Sequence, residues 1–82
     1  MARVLLQREV ARRFAGGLLE LEVEASSYRA LVTALDVRFP GIAQALTVRT
    51  AVAIDGEIYA DPLLEPIGPH SEVQFLPVIG GG

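Results

Sequence analysis

Few side chains in this 82-residue sequence offer chemistry that a folded core would not also need, and the group that does stand out is the carboxylate of Gly82. The chain ends Phe75-Leu76-Pro77-Val78-Ile79-Gly80-Gly81-Gly82. An apolar strand runs into a proline, which cannot donate to a sheet ladder, and then into three glycines. A glycine run has no Cβ atoms, so it is thin enough to thread a narrow channel and present its terminal carboxylate there. A carboxylate is a poor acyl donor until it is converted to an adenylate or a thioester. The sequence has no phosphate-binding loop of its own, so activation is expected from a partner. The plain alternative is a frayed chain end.

Three other groups invite a chemical reading. Glu20, Glu22 and Glu24 alternate with Leu19, Leu21 and Val23. At period two the carboxylates share one face of a strand, and without histidine beside them they read as a solvent face rather than a metal site. Arg8, Arg12 and Arg13 surround a short segment and read as a solvated face, with anion binding as the alternative. His70 stands between Pro69 and Ser71 with no second ligand or nucleophile near it in sequence, and reads as a turn residue. No metal site is expected.

The length allows one domain with a modest core and disfavours a deep cleft between lobes, so the chain is expected not to be an enzyme. A hydrophobic fraction of 51% with 21% charged residues belongs to a folded domain, and a net charge of -3 argues against nucleic acid as a partner. No apolar run approaches the length of a membrane span, and no leader pattern opens the sequence. With no cysteine, the chain has no disulfide, thiol nucleophile or zinc cluster. A cytoplasmic protein is the expectation. All seven basic residues are arginine, so no side-chain amine can accept an acyl group.

Something must aim the C-terminal segment. Val4, Leu5 and Leu6 read as a well-buried strand near the sheet centre. Arg8 to Gly17 reads as a loop or a single helical turn, with Val10, Ala11, Phe14 and Ala15 at helical spacing. Leu18 to Glu24 is a half-exposed strand with Leu19 on its buried face. After the N-cap candidates Ser26 and Ser27, the positions Tyr28, Leu31, Val32, Leu35 and Phe39 mark the most secure helix, stopped by Pro40-Gly41. Ile42, Ala45 and Leu46 form a short second turn. Val48 to Ile54 is a strand, Asp55-Gly56 a hairpin turn, and Glu57-Ile58-Tyr59 a short edge strand. Asp61 to Pro69 is an irregular connection carrying Leu63, Leu64 and Ile67. Glu72 to Leu76 is the last strand, with Val73 and Phe75 on one face and Gln74 and Leu76 on the other. The result is an α+β domain with one sheet and one main packing helix.

With these elements in order, the sequence resembles the MoaD/ThiS family of ubiquitin-like sulfur carriers. The resemblance rests on Val52-Ala53-Ile54-Asp55-Gly56, on Asp61-Pro62-Leu63-Leu64, and on Ser71-Glu72-Val73-Gln74-Phe75-Leu76-Pro77 followed by Gly81-Gly82. It implies a β-grasp fold, a mixed sheet of four to five strands packed on one main helix, over residues 1–79, with residues 80–82 as a flexible tail. It also implies a carrier whose Gly82 is adenylated by an ATP-dependent, ubiquitin-activating-like enzyme and converted to a thiocarboxylate that donates sulfur in cofactor biosynthesis. Leu76, Pro77, Gly80 and Gly81 would then be partner-binding. The chain itself would hold no cofactor, ATP being used by the activating partner, and a sulfur-acceptor synthase or large subunit would be the second partner.

The family commonly ends in two glycines after a bulkier residue, and here Gly80 stands in that place. The Arg8 to Gly17 segment matches the length of the molybdopterin-synthase small subunit better than that of the shorter thiamine carriers. Molybdopterin is therefore favoured over thiamine, cysteine or tRNA thiolation. The same tail also suits a ubiquitin-like modifier conjugated through Gly82, and a plain β-grasp interaction module is the third reading.

Overall fold

Apolar residues at period two in four segments, and at helical spacing in the segments between them, build one sheet with helices over one face. The computed structural model of the chain describes residues 1–47, 50–59, 62 and 65–77. The strands are β1 (Ala2–Leu5), β2 (Glu20–Val23), β3 (Thr50–Ile54), β4 (Glu57–Tyr59) and β5 (Glu72–Pro77). The helices are α1 (Arg8–Phe14), α2 (Tyr28–Arg38) and α3 (Ile42–Thr47). The sheet runs in the order β2-β1-β5-β3-β4. Every neighbouring pair is antiparallel except β1 and β5, which are parallel. A parallel pair needs a crossover, and here the whole middle of the chain supplies it.

Alternation sets which face is buried. In β5 the inward residues are Val73 and Phe75, and in β1 they are Ala2 and Val4. They meet Leu21 and Val23 of β2, Val52 and Ile54 of β3, and Leu31 and Leu35 of α2 in one core. Leu31 and Leu35 are fully enclosed, the burial expected of residues one helical turn apart on the sheet-facing stripe of α2. Ser27 caps that helix, its Oγ accepting from the Ala30 amide at 3.1 Å. Asp36 caps the next one: a single carboxylate oxygen accepts from the amides of Gly41 and Ala43, each at 3.1 Å.

Several expectations change in detail. The sheet centre is β5, with β1 beside it. Within β1, Val4 is enclosed while Leu5 is half-buried on the opposite face, so the apolar run is split between two faces rather than buried on both. Arg8 to Gly17 contains a helix of 7 residues, because Val10 and Ala11 find core partners and hold two turns in place. Leu19 is 45% exposed, since β2 begins only at Glu20 and the preceding residues run outside the packed region. Ile42 and Leu46 are both enclosed, making α3 a packed element and giving three helices among the described residues where one main helix was expected. The edge position of β4 and the Asp55-Gly56 turn agree with the sequence reading. Asp55 (φ 51) and Gly56 (φ 87) both take the left-handed conformation that a two-residue hairpin turn requires. Asp61, Leu63, Leu64 and Val48 lie outside the described residues, while Ile67 is buried in the core. No helix among the described residues is long and apolar enough to cross a membrane.

Candidate functional site: the end of the central strand

The final strand reaches its end in an asymmetric setting. Toward β3 its ladder continues to Pro77, which lies opposite Thr50. Toward β1 the last register pair is Leu5 with Gln74. Phe75, Leu76 and Pro77 therefore run past the end of β1, because the chain turns away there through Leu6 and Gln7 into α1. Pro77 suits this position, since a proline costs no ladder hydrogen bond at a strand edge or end.

Phe75 anchors the strand end. Its side chain is 2% exposed, and its ring lies 6.0 Å from that of Tyr28, tilted by 48°. That separation lies within the range of favourable aromatic pairs. Burial of Tyr28 removes solvent from its phenol and pushes its pKa above the usual value. The core thus grips the strand two residues before its described end.

Leu76 points to the opposite face, half-buried and directly across from Ala51. Register places further apolar groups on that face: Ala53 across from Gln74, Ile58 across from Ala53, and Leu5 across from Gln74. Ile58 is 70% exposed. The sheet therefore shows an open apolar face that includes Leu76, bordered on the β2 side by charge. Arg3 there bridges Glu20 at 3.1 Å and Glu72 at 3.2 Å. Pro77 is exposed at the strand end. Gly80, Gly81 and Gly82 lie outside the described residues.

On the β1 side of the same strand end is a groove of about 540 Å³ between β5 and the start of α1. Arg8 and Arg12 line it, so two of the three arginines that the sequence grouped together stand beside Leu76 and Pro77. Sequence reasoning missed this, because the adjacency of α1 to β5 depends on the parallel β1–β5 pairing and no local pattern encodes it. Glu20, Glu22 and Glu24 are exposed as expected, and His70 is an exposed turn residue. Its neighbour Ser71, to which the sequence reading gave no structural role, is buried and accepts from the Gly68 amide while donating to Asp55.

Comparison with solved structures finds the same architecture in other proteins, among them the following. Mycobacterium tuberculosis CysO, described as an antigen, superposes with a TM-score of 0.87 at 16% identity, over 96% of this chain and 100% of that one. A chain of the Amycolatopsis orientalis BexX/CysO complex gives 0.86 at 18% identity, covering 100% of both chains. SAMP1 from Haloferax volcanii gives 0.70 at 18% identity, over 99% of this chain and 98% of that one. At such identities the likeness establishes the β-grasp fold. Comparison with curated proteins finds no significant match. Residues 7–82 match the sequence profile of the ThiS family, a span that takes in every element after β1 and the glycine end. The chain belongs to the ThiS family of ubiquitin-like sulfur carriers.

Proposed function

We propose that the chain delivers sulfur as a thiocarboxylate formed on Gly82. The observation that carries this reading is the end of β5, where a strand fixed by Phe75 runs past β1 and terminates at an exposed proline five residues before the terminal carboxylate. Five residues of chain span at most about 17 Å. That reach is enough for a glycine end to enter a partner's site while the domain docks outside it.

The chemistry takes two steps. The Gly82 carboxylate attacks the α-phosphorus of ATP bound by the activating partner, giving an acyl-adenylate and pyrophosphate. A sulfur donor at the hydrosulfide level then attacks the acyl carbon, forming the C–S bond as the C–O bond to AMP breaks, and AMP leaves with the electron pair. The chain itself contributes the acyl group, the thin tail and a docking face, for which Leu76 and Pro77 are the nearest described groups. A chain of the same fold in the BexX/CysO complex supports such docking. The second partner is a sulfur-acceptor synthase, with molybdopterin formation favoured by the presence of the α1 segment.

The test is incubation with the cognate adenylating enzyme, ATP and hydrosulfide. The expected product has one terminal oxygen replaced by sulfur, read from the intact mass and localised to the C-terminal peptide. A variant with one residue appended after Gly82 should remain unmodified, since misplacing a reacting group by about 1 Å already costs on the order of 100-fold. Thiocarboxylation of the extended chain at full rate would overturn the assignment.

A further inference from the structure

The groove between α1 and the end of β5 holds a charge arrangement that the carrier reading does not use. Its walls are Gln7, Arg8 and Arg12 on one side and Gln74, Leu76 and Pro77 on the other. Arg8 and Arg12 are four residues apart on a helix, so their guanidinium groups emerge on the same face. Glu9 also reaches the groove, but its carboxylate stands 3.8 Å from Arg12 in an exposed pair with both side chains about seven-tenths accessible. Such a pair is too loose to neutralise the site. Arg8 makes no ion pair among the described residues. The contrast lies on the same molecule: Arg3, on the sheet face, is held by two carboxylates. In a chain of net charge -3, Arg8 and Arg12 are the arginines that line the groove beside the end of β5; Arg13, Arg29 and Arg38 also make no ion pair among the described residues but do not line it.

Resting on the carrier reading above, we infer that this groove receives an acidic segment of the adenylating partner, Arg8 and Arg12 taking Asp or Glu carboxylates while Leu76 and Pro77 cover an adjoining apolar side chain. A guanidinium presents its donors in a planar fork that a carboxylate matches with two parallel hydrogen bonds. Two such groups, flanking the tail root, orient the domain so that the tail points into the partner's channel. Charges at an interface rim act mainly on encounter and on its salt dependence. Their removal should therefore appear in binding and leave the chemistry of the docked complex unchanged.

The test measures adenylate formation by the cognate enzyme as a function of carrier concentration and of salt. Arg8→Glu/Arg12→Glu should raise the KM for the carrier about tenfold or more with kcat unchanged, and should flatten the salt dependence of kcat/KM. Arg8→Ala/Arg12→Ala should give the same change at smaller size, and Arg8→Lys/Arg12→Lys should recover much of the loss in KM. A circular-dichroism melt of each variant checks the fold, and the alanine pair keeps the test valid if the reversal disturbs α1. Unchanged KM and salt slope in a folded double variant, with the unaltered chain adenylated normally, would overturn the inference and leave the carrier reading standing. Loss of kcat at unchanged KM would also overturn it. Failure of the unaltered chain to be adenylated would instead overturn the carrier reading, and this inference with it.

Discussion

Ser71 donates its hydroxyl hydrogen to one carboxylate oxygen of Asp55 at 2.9 Å, across a sequence separation of sixteen residues. The other carboxylate oxygen of Asp55 accepts from the Glu72 amide, also at 2.9 Å. Asp55 is the first residue of the β3–β4 turn, and Ser71-Glu72 opens β5. One side chain thus fixes where β5 starts against β3 and so holds the register that sets where Pro77 emerges.

Replacing Asp55 by alanine should therefore cost about 1–3 kcal/mol, the range for leaving a buried group such as the Ser71 hydroxyl without its partner. The left-handed backbone at Asp55 adds to the cost, because alanine tolerates it less well than aspartate or asparagine does. Asp55→Asn should lose less than Asp55→Ala, since its amide oxygen still accepts one of the two bonds. Urea midpoints of the three proteins check the order. Equal midpoints for Asp55→Ala and the unaltered chain would show that the β5 register is set elsewhere.

Leu35 is fully enclosed between α2 and the sheet, so Leu35→Ala should destabilise by about 2–5 kcal/mol through lost burial and the cavity left behind. The same denaturant experiment reads it. An unchanged midpoint would remove Leu35 from the core.

How far these elements were legible in the sequence follows from the range of each signal. The stripe of Tyr28, Leu31 and Leu35, and the hairpin at Asp55-Gly56, are local patterns tied to helical and strand periods, and both lie in the fold as read. Leu21, Val23, Leu31, Leu35, Ile54 and Phe75 do share one core. The segment at Arg8 was legible only as a loop or a single helical turn, because 7 residues carry little periodicity and its stability comes from Val10 and Ala11 meeting a core assembled by distant strands. The bond between Ser71 and Asp55 and the groove between Arg12 and Pro77 were likewise invisible. Each depends on a pairing between strands far apart in sequence. Leu76 was legible as facing away from Phe75, by alternation alone.

The two tyrosines give a pH prediction without interference from tryptophan, of which the chain has none. The Tyr59 hydroxyl donates to Glu57 at 2.8 Å, and that bond to a carboxylate, with the nearby negative charge, pushes its pKa up to about 12. Desolvation raises Tyr28 as well. Tyrosinate absorbance at pH 10 should therefore stay below the half-ionised level that two ordinary tyrosines give, with Tyr59 contributing almost none of it. Glu57→Gln should bring one of the two titrations down toward the usual value. For stability the sign is negative with rising pH: the unfolded chain releases these protons first, near 10, so the contribution is complete below pH 10 and is lost between about 10 and 12. Half-ionisation of both phenols at pH 10 in the folded protein would refute the bond to Glu57.

The prediction that separates folding from docking concerns Leu76. Its side chain is half-buried against Ala51 on the open sheet face, and Phe75 on the other face supplies the anchoring of the strand end. Leu76→Glu should therefore cost roughly 1 kcal/mol in stability, about half of what full burial of a leucine contributes. Placed in the docking interface, however, the carboxylate would lie unpaired against an apolar partner surface, and loss of a central contact of about 2 kcal/mol weakens binding roughly 30-fold. The two effects are read independently, by a denaturant midpoint and by titration of the adenylating enzyme with labelled carrier. Ile58→Glu, on the same face but at the far edge strand, should change binding less, because it lies two strands away from the tail root. A loss of binding no larger than the loss of stability would assign Leu76 to the fold. A larger effect at Ile58 than at Leu76 would move the docking face from the strand end toward the β4 edge.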